Sequence, residues 1–524
     1  MRRIAVLPAL IATMLGASAA HASITLIAIG DLTGSSAGAY ADLSGLSAPL
    51  ENGARGNLLG GMGSGLAYAG GNTFIGLPDR GPNANAYNSL VADTVSYIDR
   101  FQTLSMALTP NASSVADPFY GKVLPYTLTP TLTATTLLSS PTPLVYGNGS
   151  LGTSAAINPV TGAPYTLGSG VPALNAINNT NYFTGRSDNF DSTMNSLNPN
   201  NARLDPEGIR VSNDGKSVFI SDEYGPYVYQ FDRATGQRIH TFTLPANLAV
   251  ATLGPTTGSE GNPPNTSGRT GNKGMEGLAI TPDGKMLVGA MQAPLLQDTN
   301  KNIRLVTINI DPTSADYGQT HEYAYKLTNG SGVSEIVAIN NHEFLLDERD
   351  GSGMADTPNS PSAAGVKQLF KIDITGATDV TAMSGNLSSV AVSKSMYLDV
   401  VKMLTNAGID PKLIPSKIEG VAFGQDVVIN GVTEHTLYIA NDNDFLTTIP
   451  NPLNPAGGNA ANPNLFYVFA FSDSDLGMDS AGNQTFALNL TPQQIAAVPE
   501  PGTYAMLLAG LGLVGFAARR RTNH

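Results

Sequence analysis

The chain has no cysteine and no tryptophan in 524 residues. No disulfide can staple the fold, so a large core or a bound metal has to hold it together. Charge is also scarce. Asp, Glu, Lys and Arg make up 13% of the chain, and its body has no basic patch. That excludes the electrostatic footprint of a nucleic-acid binder. The net charge is 28 − 41 = −13, which repels anionic substrates unless a bound cation inverts the local field. A His-Glu-x-x-His run and a Walker-type phosphate loop are both missing, and none of the six histidines has metal-ligand spacing to a second one. Gly34-Ser35-Ser36-Ala37-Gly38 matches a nucleophile-elbow spacing, but no strand-to-helix pattern surrounds it. What abounds is glycine (56), proline (34), and asparagine, serine and threonine. This composition suits many short strands joined by polar turns, not a helical protein.

Both ends read as addressing signals. Arg2 and Arg3 precede an uncharged apolar run from Ile4 to Ala20, and Ala20-His21-Ala22 is a small-x-small cleavage pattern. Residues 1–22 are therefore expected to be a signal peptide, cut before Ser23. Near the other end, Val498-Pro499-Glu500-Pro501 is followed by an uncharged apolar stretch from Tyr504 to Ala518, then by Arg519-Arg520-Arg521. The arginines would stay cytoplasmic, leaving the bulk of the chain outside. Residues 498–524 thus resemble the PEP-CTERM sorting signal: Pro-Glu-Pro, a hydrophobic helix and a basic tail. That resemblance implies recognition by an exosortase, removal of the tail, and release to the cell surface or extracellular matrix of a Gram-negative bacterium. The C-terminal helix would serve as a transient inner-membrane anchor. At either end a plain membrane anchor is the alternative. Between the signals lie residues 23–497, enough for one large or two ordinary domains.

The body carries an internal repeat of strand, turn and strand. One unit begins Glu207-Gly208-Ile209-Arg210-Val211, turns at Asn213-Asp214-Gly215-Lys216 and ends Asp222-Glu223-Tyr224-Gly225-Pro226. A second begins at Glu276 and turns at Pro282-Asp283-Gly284-Lys285. Others begin at Gly65, Glu335 and Glu419. Asp-Gly turns favour hairpins because glycine supplies the positive φ. Further strands are expected over 227–232, 303–310, 368–374 and 465–471. The intervals are blade-sized, and Gly65 to Gly208 leaves room for two blades. The expected fold is all-β: a single propeller of about six blades, with five to seven allowed, and long loop insertions. Residues 127–143 and 175–201 read as such loops around one weak blade, and 395–406 as a helix with Met396, Val400 and Met403 on one face.

In four units a glutamate opens the first strand: Glu207, Glu276, Glu335 and Glu419. In three, acids follow the second: Asp222 with Glu223, Asp347 with Glu348, Asp442 with Asp444; the first unit has Asp79 and Arg80 there. A propeller brings equivalent positions together around its axis, so these carboxylates converge at one mouth. They cannot all stay ionised without a cation or arginines beside them. Hard oxygen ligands suit Ca²⁺. The expected metal ligands are Glu207, Glu276, Glu335, Glu419, Asp79 and Asp442. The general-base candidates are Asp222, Glu223, Asp347 and Glu348. Arg80, Lys273 and Arg349 are placed to hold an anionic group. Taken singly, each acid could instead end a strand, cap a turn, or pair with Arg80, Arg203, Arg210 or Arg349.

Several of these runs resemble the family known as "esterase-like activity of phytase". They are Leu77-Pro78-Asp79-Arg80-Gly81-Pro82, Asp205-Pro206-Glu207-Gly208, Ser221-Asp222-Glu223-Tyr224-Gly225-Pro226, Asn272-Lys273-Gly274-Met275-Glu276-Gly277, Leu346-Asp347-Glu348-Arg349-Asp350 and Lys417-Ile418-Glu419-Gly420. The resemblance spans roughly Gly60 to Phe471 and implies a propeller that hydrolyses phytate or simple esters. The function expected is an exported, metal-dependent hydrolase of phosphate esters or simple esters. Two alternatives stand beside it: a Ca²⁺-dependent lactonase or esterase on the same propeller, and a non-enzymatic matrix or adhesion propeller that binds exopolysaccharide.

Overall fold

The computed structural model describes residues 24–50, 52–82, 95–145, 180–185, 196–252, 265–356 and 362–477. Both terminal signals lie outside them. Among the described residues no helix is long and apolar enough to cross a membrane.

Among the described residues, twenty strands form five antiparallel blades of four strands each, and the fifth blade carries a short additional strand, Val427–Ile429. Blade I is β2 (Gly65–Tyr68), β3 (Thr73–Leu77), β4 (Arg100–Pro110) and β5 (Tyr126–Leu137). Blade II is β6 (Pro206–Val211), β7 (Ser217–Asp222), β8 (Val228–Asp232) and β9 (Arg238–Phe242). Blade III is β10 (Met275–Ile280), β11 (Met286–Met291), β12 (Asn302–Asn309) and β13 (Thr320–Lys326). Blade IV is β14 (Gly332–Ala338), β15 (Glu343–Arg349), β16 (Lys367–Asp373) and β17 (Ser393–Asp399). Blade V is β18 (Ile418–Phe423), β19 (Val432–Asn441), β20 (Asn464–Phe471) and, from the other end of the chain, β1 (Thr25–Leu32). Pairing of β1 with β20 closes the ring between the two ends of the domain.

The inner strands lack a polar face because each blade is packed on both sides. Along β7, Val218 and Ile220 join the cluster shared with blade I, whereas Phe219 between them joins the cluster shared with blade III. Every pair of neighbouring blades owns such a cluster, so alternation sorts one apolar residue to one interface and the next to the other. The expected turns form as read: Gly215 and Gly284 both have φ of +71°.

Arg210 closes the axis. Its guanidinium donates to the carbonyls of Leu66 in blade I (2.8 Å), Ile336 in blade IV (2.7 Å) and Val421 in blade V (3.3 Å). It also pairs with Glu335 at 3.1 Å, whose carboxylate accepts the N–H of Leu278 in blade III. One buried pair thus ties all the blades together.

The propeller is as expected, and its blade count falls at the lower end of the expected range. The interval from Gly65 to Gly208 holds the remainder of blade I and, among the described residues, no second four-stranded sheet. Two local expectations are corrected. Residues 126–137 are the outer strand of blade I, not a loop, with Pro130 opposite Met106. An edge strand tolerates proline because its outward N–H has no ladder partner to lose. Residues 393–399 are the outer strand of blade IV, and the helix is confined to α1 (Val400–Asn406), capped by the Asp399 carboxylate. Met396 therefore faces solvent from a strand, while Val400 and Leu404 reach the core.

Candidate functional site

Each first strand begins near one mouth of the ring, where a cavity of about 210 Å³ opens. Strand pairing is irregular at the repeated glutamate: the register shifts between Pro206 and Ile209, Met275 and Gly277, Val333 and Ile336, and Ile418 and Val421. Such bulges re-aim a side chain. Glycine after the glutamate lets neighbouring blades approach: a Cβ on Gly208 would sit 2.6 Å from the Leu278 nitrogen.

The cavity is lined by six carboxylates, Asp79, Glu207, Glu223, Glu276, Glu419 and Asp442, and by four cations, Arg80, Lys273, Arg349 and Lys417. Three cations are held by acids. Arg80 bonds Asp205 at 2.5 Å and lies 3.9 Å from Glu223. Arg349 bonds Glu419 and lies 3.5 Å from Glu276. Lys417 bonds Asp442 at 2.8 Å and Asp444 at 2.5 Å. Lys273 has no acid partner among the described residues and stands exposed at the rim.

These pairs do not neutralise the mouth. Burial, then the neighbouring charges of Glu276, Asp205 and Glu223, hold the Glu207 carboxyl well above its ordinary range. Glu223 is raised well above by burial and by the neighbouring charges of Glu276 and Asp205. Asp79 is raised by burial and by Asp442. Glu419 is pushed up to about 8 by burial, against the pull of Arg349 and Lys417. Oxygens of Asp205, Glu207 and Glu223 lie within 4.8 Å of one another, as do those of Asp79, Asp442 and Asp444. A Ca²⁺ ion takes oxygen ligands at roughly 2.3–2.6 Å, so oxygens this close can share one ion. The excess of buried carboxyls over cations fits the same group.

Of the thirteen residues expected at the site, nine line the cavity: Asp79, Arg80, Glu207, Glu223, Lys273, Glu276, Arg349, Glu419 and Asp442. The other four lie elsewhere. Glu335 is on the axis with Arg210, its carboxyl raised to about 8 by burial. Asp222 accepts the N–H groups of Asp205 and Gly225, and burial lifts it to about 7. Glu348 is wrapped by the N–H groups of Thr328, Asn329 and Gly330 and bonded to Lys394. Asp347 is buried with both carboxylate oxygens unbonded among the described residues. Arg349 pairs with Glu419 and Glu276 and not with its neighbour in sequence, Glu348.

Sequence reading missed Asp205, Lys417 and Gln292. The first two stand two residues before a repeated glutamate, and a strand returns its side chains to one face at that spacing. Gln292 follows β11 where Glu223 follows β7; being neutral, it carried no acidic signal.

The family described as esterase-like activity of phytase matches residues 57–445. The chain belongs to this phytase-like family. A PEP-CTERM protein-sorting motif matches residues 497–521, so the chain carries an export and sorting signal. It is similar to an uncharacterized secreted protein of Arthroderma benhamiae, 27% identical over 303 residues, covering 47% of this chain and 58% of that one. The match thus spans less than two thirds of the relative. Among solved structures it is similar to a putative 6-phosphogluconolactonase from Bacteroides uniformis (10% identity, 77% of this chain and 88% of that one, TM-score 0.27). It is also similar to a gluconolactonase from Xanthomonas campestris (11% identity, 56% and 63%, TM-score 0.23). At such scores nothing of either neighbour's chemistry transfers.

Proposed function

We propose that the phytase-like domain is an exported, Ca²⁺-dependent hydrolase of small phosphate or carboxylic esters, acting at the mouth cavity. The observation that carries this reading is the cluster Asp205, Glu207 and Glu223, buried beside Glu276 with too few cations to balance it. These three residues would hold the ion. When bound, it supplies charge compensation for the acids and polarises an ester or phosphoryl oxygen. Glu223, the one expected base that lines the cavity, gives one oxygen to the cluster and keeps the other to take the proton of an attacking water. Lys273, free of acids, meets the anionic or developing oxyanionic group at the rim. Arg80, Arg349 and Lys417 position the carboxylates they bond. The sorting motif supports cleavage by an exosortase and release at the cell surface of a Gram-negative bacterium, with the apolar stretch before the arginines as a transient inner-membrane anchor.

A lactone or neutral ester is the second reading, favoured by Lys273 being the one lining cation without an acid partner among the described residues. Turnover of p-nitrophenyl phosphate, p-nitrophenyl acetate and phytate, each with Ca²⁺ and with a chelator, tests both. Chelator-sensitive turnover that drops at least ~10²-fold in Glu207→Gln is expected. Turnover indifferent to both would refute the assignment.

A further inference from the structure

The cavity wall contributed by blade III presents acceptors without donors. Glu276 is 3% exposed, and its Oε2 has no hydrogen-bond partner among the described residues. The amide of Gln292 is oriented by its NH₂ donating to Glu276 Oε1 at 2.8 Å, which leaves Gln292 Oε1 as a second buried, unbonded acceptor. Both side chains line the cavity, and neither belongs to the Asp205–Glu207–Glu223 cluster. Buried acceptors are normally satisfied, and a ligand that meets these two must bring donors. Val333 is the one aliphatic side chain among the described lining residues, so the wall is almost wholly polar. The cavity, about 210 Å³, is below the usual range of ligand pockets and suits a single ring.

Charge narrows the choice further. Arg80, Arg349 and Lys417 are committed to acids, leaving Lys273 alone for an anion. Counting Asp205 with the lining acids, seven carboxyls face four cations, three of them already bonded to acids. A polyanion therefore finds one free cation among the described lining residues and nothing to hold its remaining charges.

We infer that the cavity recognises small polyhydroxylated compounds carrying at most one anionic group, with hydroxyls donating to Glu276 and Gln292, and that it rejects polyanions. That the bound compound is an ester rests on the hydrolase reading; the binding preference does not. The test is calorimetry on the mature chain in calcium-free buffer. The probes are myo-inositol, inositol monophosphate and inositol hexakisphosphate, which share one ring and differ in charge. The first two are repeated with Ca²⁺. Inositol and its monophosphate should bind at least tenfold more tightly than the hexakisphosphate. Gln292→Leu should weaken inositol about tenfold, the loss of one hydrogen bond to a buried acceptor. Gln292→Asn, which keeps both an amide acceptor and an amide donor, should retain more binding than the leucine variant, and the melting temperatures of both variants guard against a folding defect. Preferential binding of the hexakisphosphate, no binding of inositol, or an unchanged affinity in a folded Gln292→Leu would overturn the inference. A chain that binds inositol but hydrolyses no ester would keep this inference and lose the hydrolase reading. Hydrolysis without inositol binding would do the reverse.

Discussion

Arg210 shows how far a single residue's role depends on partners that are remote in sequence. It was legible only as one arginine that could pair locally with an acid. In the fold it sits on the axis, bonded to carbonyls of four blades and to Glu335. The same remoteness explains why Glu335, Asp222 and Glu348 leave the expected site. Each occupies a repeated acidic position, yet each is taken by a partner that its own strand does not reveal. Glu207 and Glu223 stay because, among the described residues, no cation pairs with Glu207 and only Arg80, at 3.9 Å, approaches Glu223. Replacing Arg210 by methionine leaves Glu335 buried and unpaired. Denaturant unfolding should show a loss of about 3–5 kcal/mol, with part of it regained in Arg210→Met/Glu335→Leu. An additive double variant would mean that the pair does not act as a unit.

At the scale of the elements, hairpins with Asp-Gly turns and double-sided apolar strands could be read directly, because turn chemistry and alternation are local. Blade number could not. The long interval after Gly65 leaves space for a second blade, but space does not reveal pairing, and the threonine-rich run with its central proline that forms the strand 126–137 has the composition of a loop. The closure by β1 was equally hidden, since its partner β20 is more than 400 residues away in the chain, as Thr25 with Ala470 illustrates. Ile29 of β1 is buried in the interface between blades IV and V. Deleting residues 23–32 should leave β20 as a bare edge and abolish cooperative thermal unfolding. Retention of a sharp transition near the wild-type Tm would show that the ring closes without β1.

For the whole molecule, the concentration of buried acids sets the pH response. Burial raises Glu335 and Glu419 to about 8, and Asp222 and Asp347 to about 7. A carboxyl raised on folding stabilises the fold fully below its unfolded pKa and loses that contribution as pH climbs through the folded value. Ion-free protein should therefore melt roughly 5–10 °C lower at pH 8 than at pH 5. Glu207 and Glu223 are raised as well, and a bound divalent cation lets them ionise, so Ca²⁺ should recover part of the loss at pH 8 while the share of Glu335, Asp222 and Asp347 remains. A Tm independent of pH would contradict the charge balance described here. The acidic mouth was visible in the repeat because equivalent positions must converge on the axis; its partial neutralisation by Arg80, Arg349 and Lys417 required the folded pairs.

The claim that the buried acids form a cation-dependent centre is tested most directly by calorimetric titration of Ca²⁺ into the mature chain and into Glu207→Gln at pH 8. The account predicts saturable binding to the wild type, weakened at least about tenfold by this single neutral substitution. Equal binding by both proteins, or none by either, would contradict it.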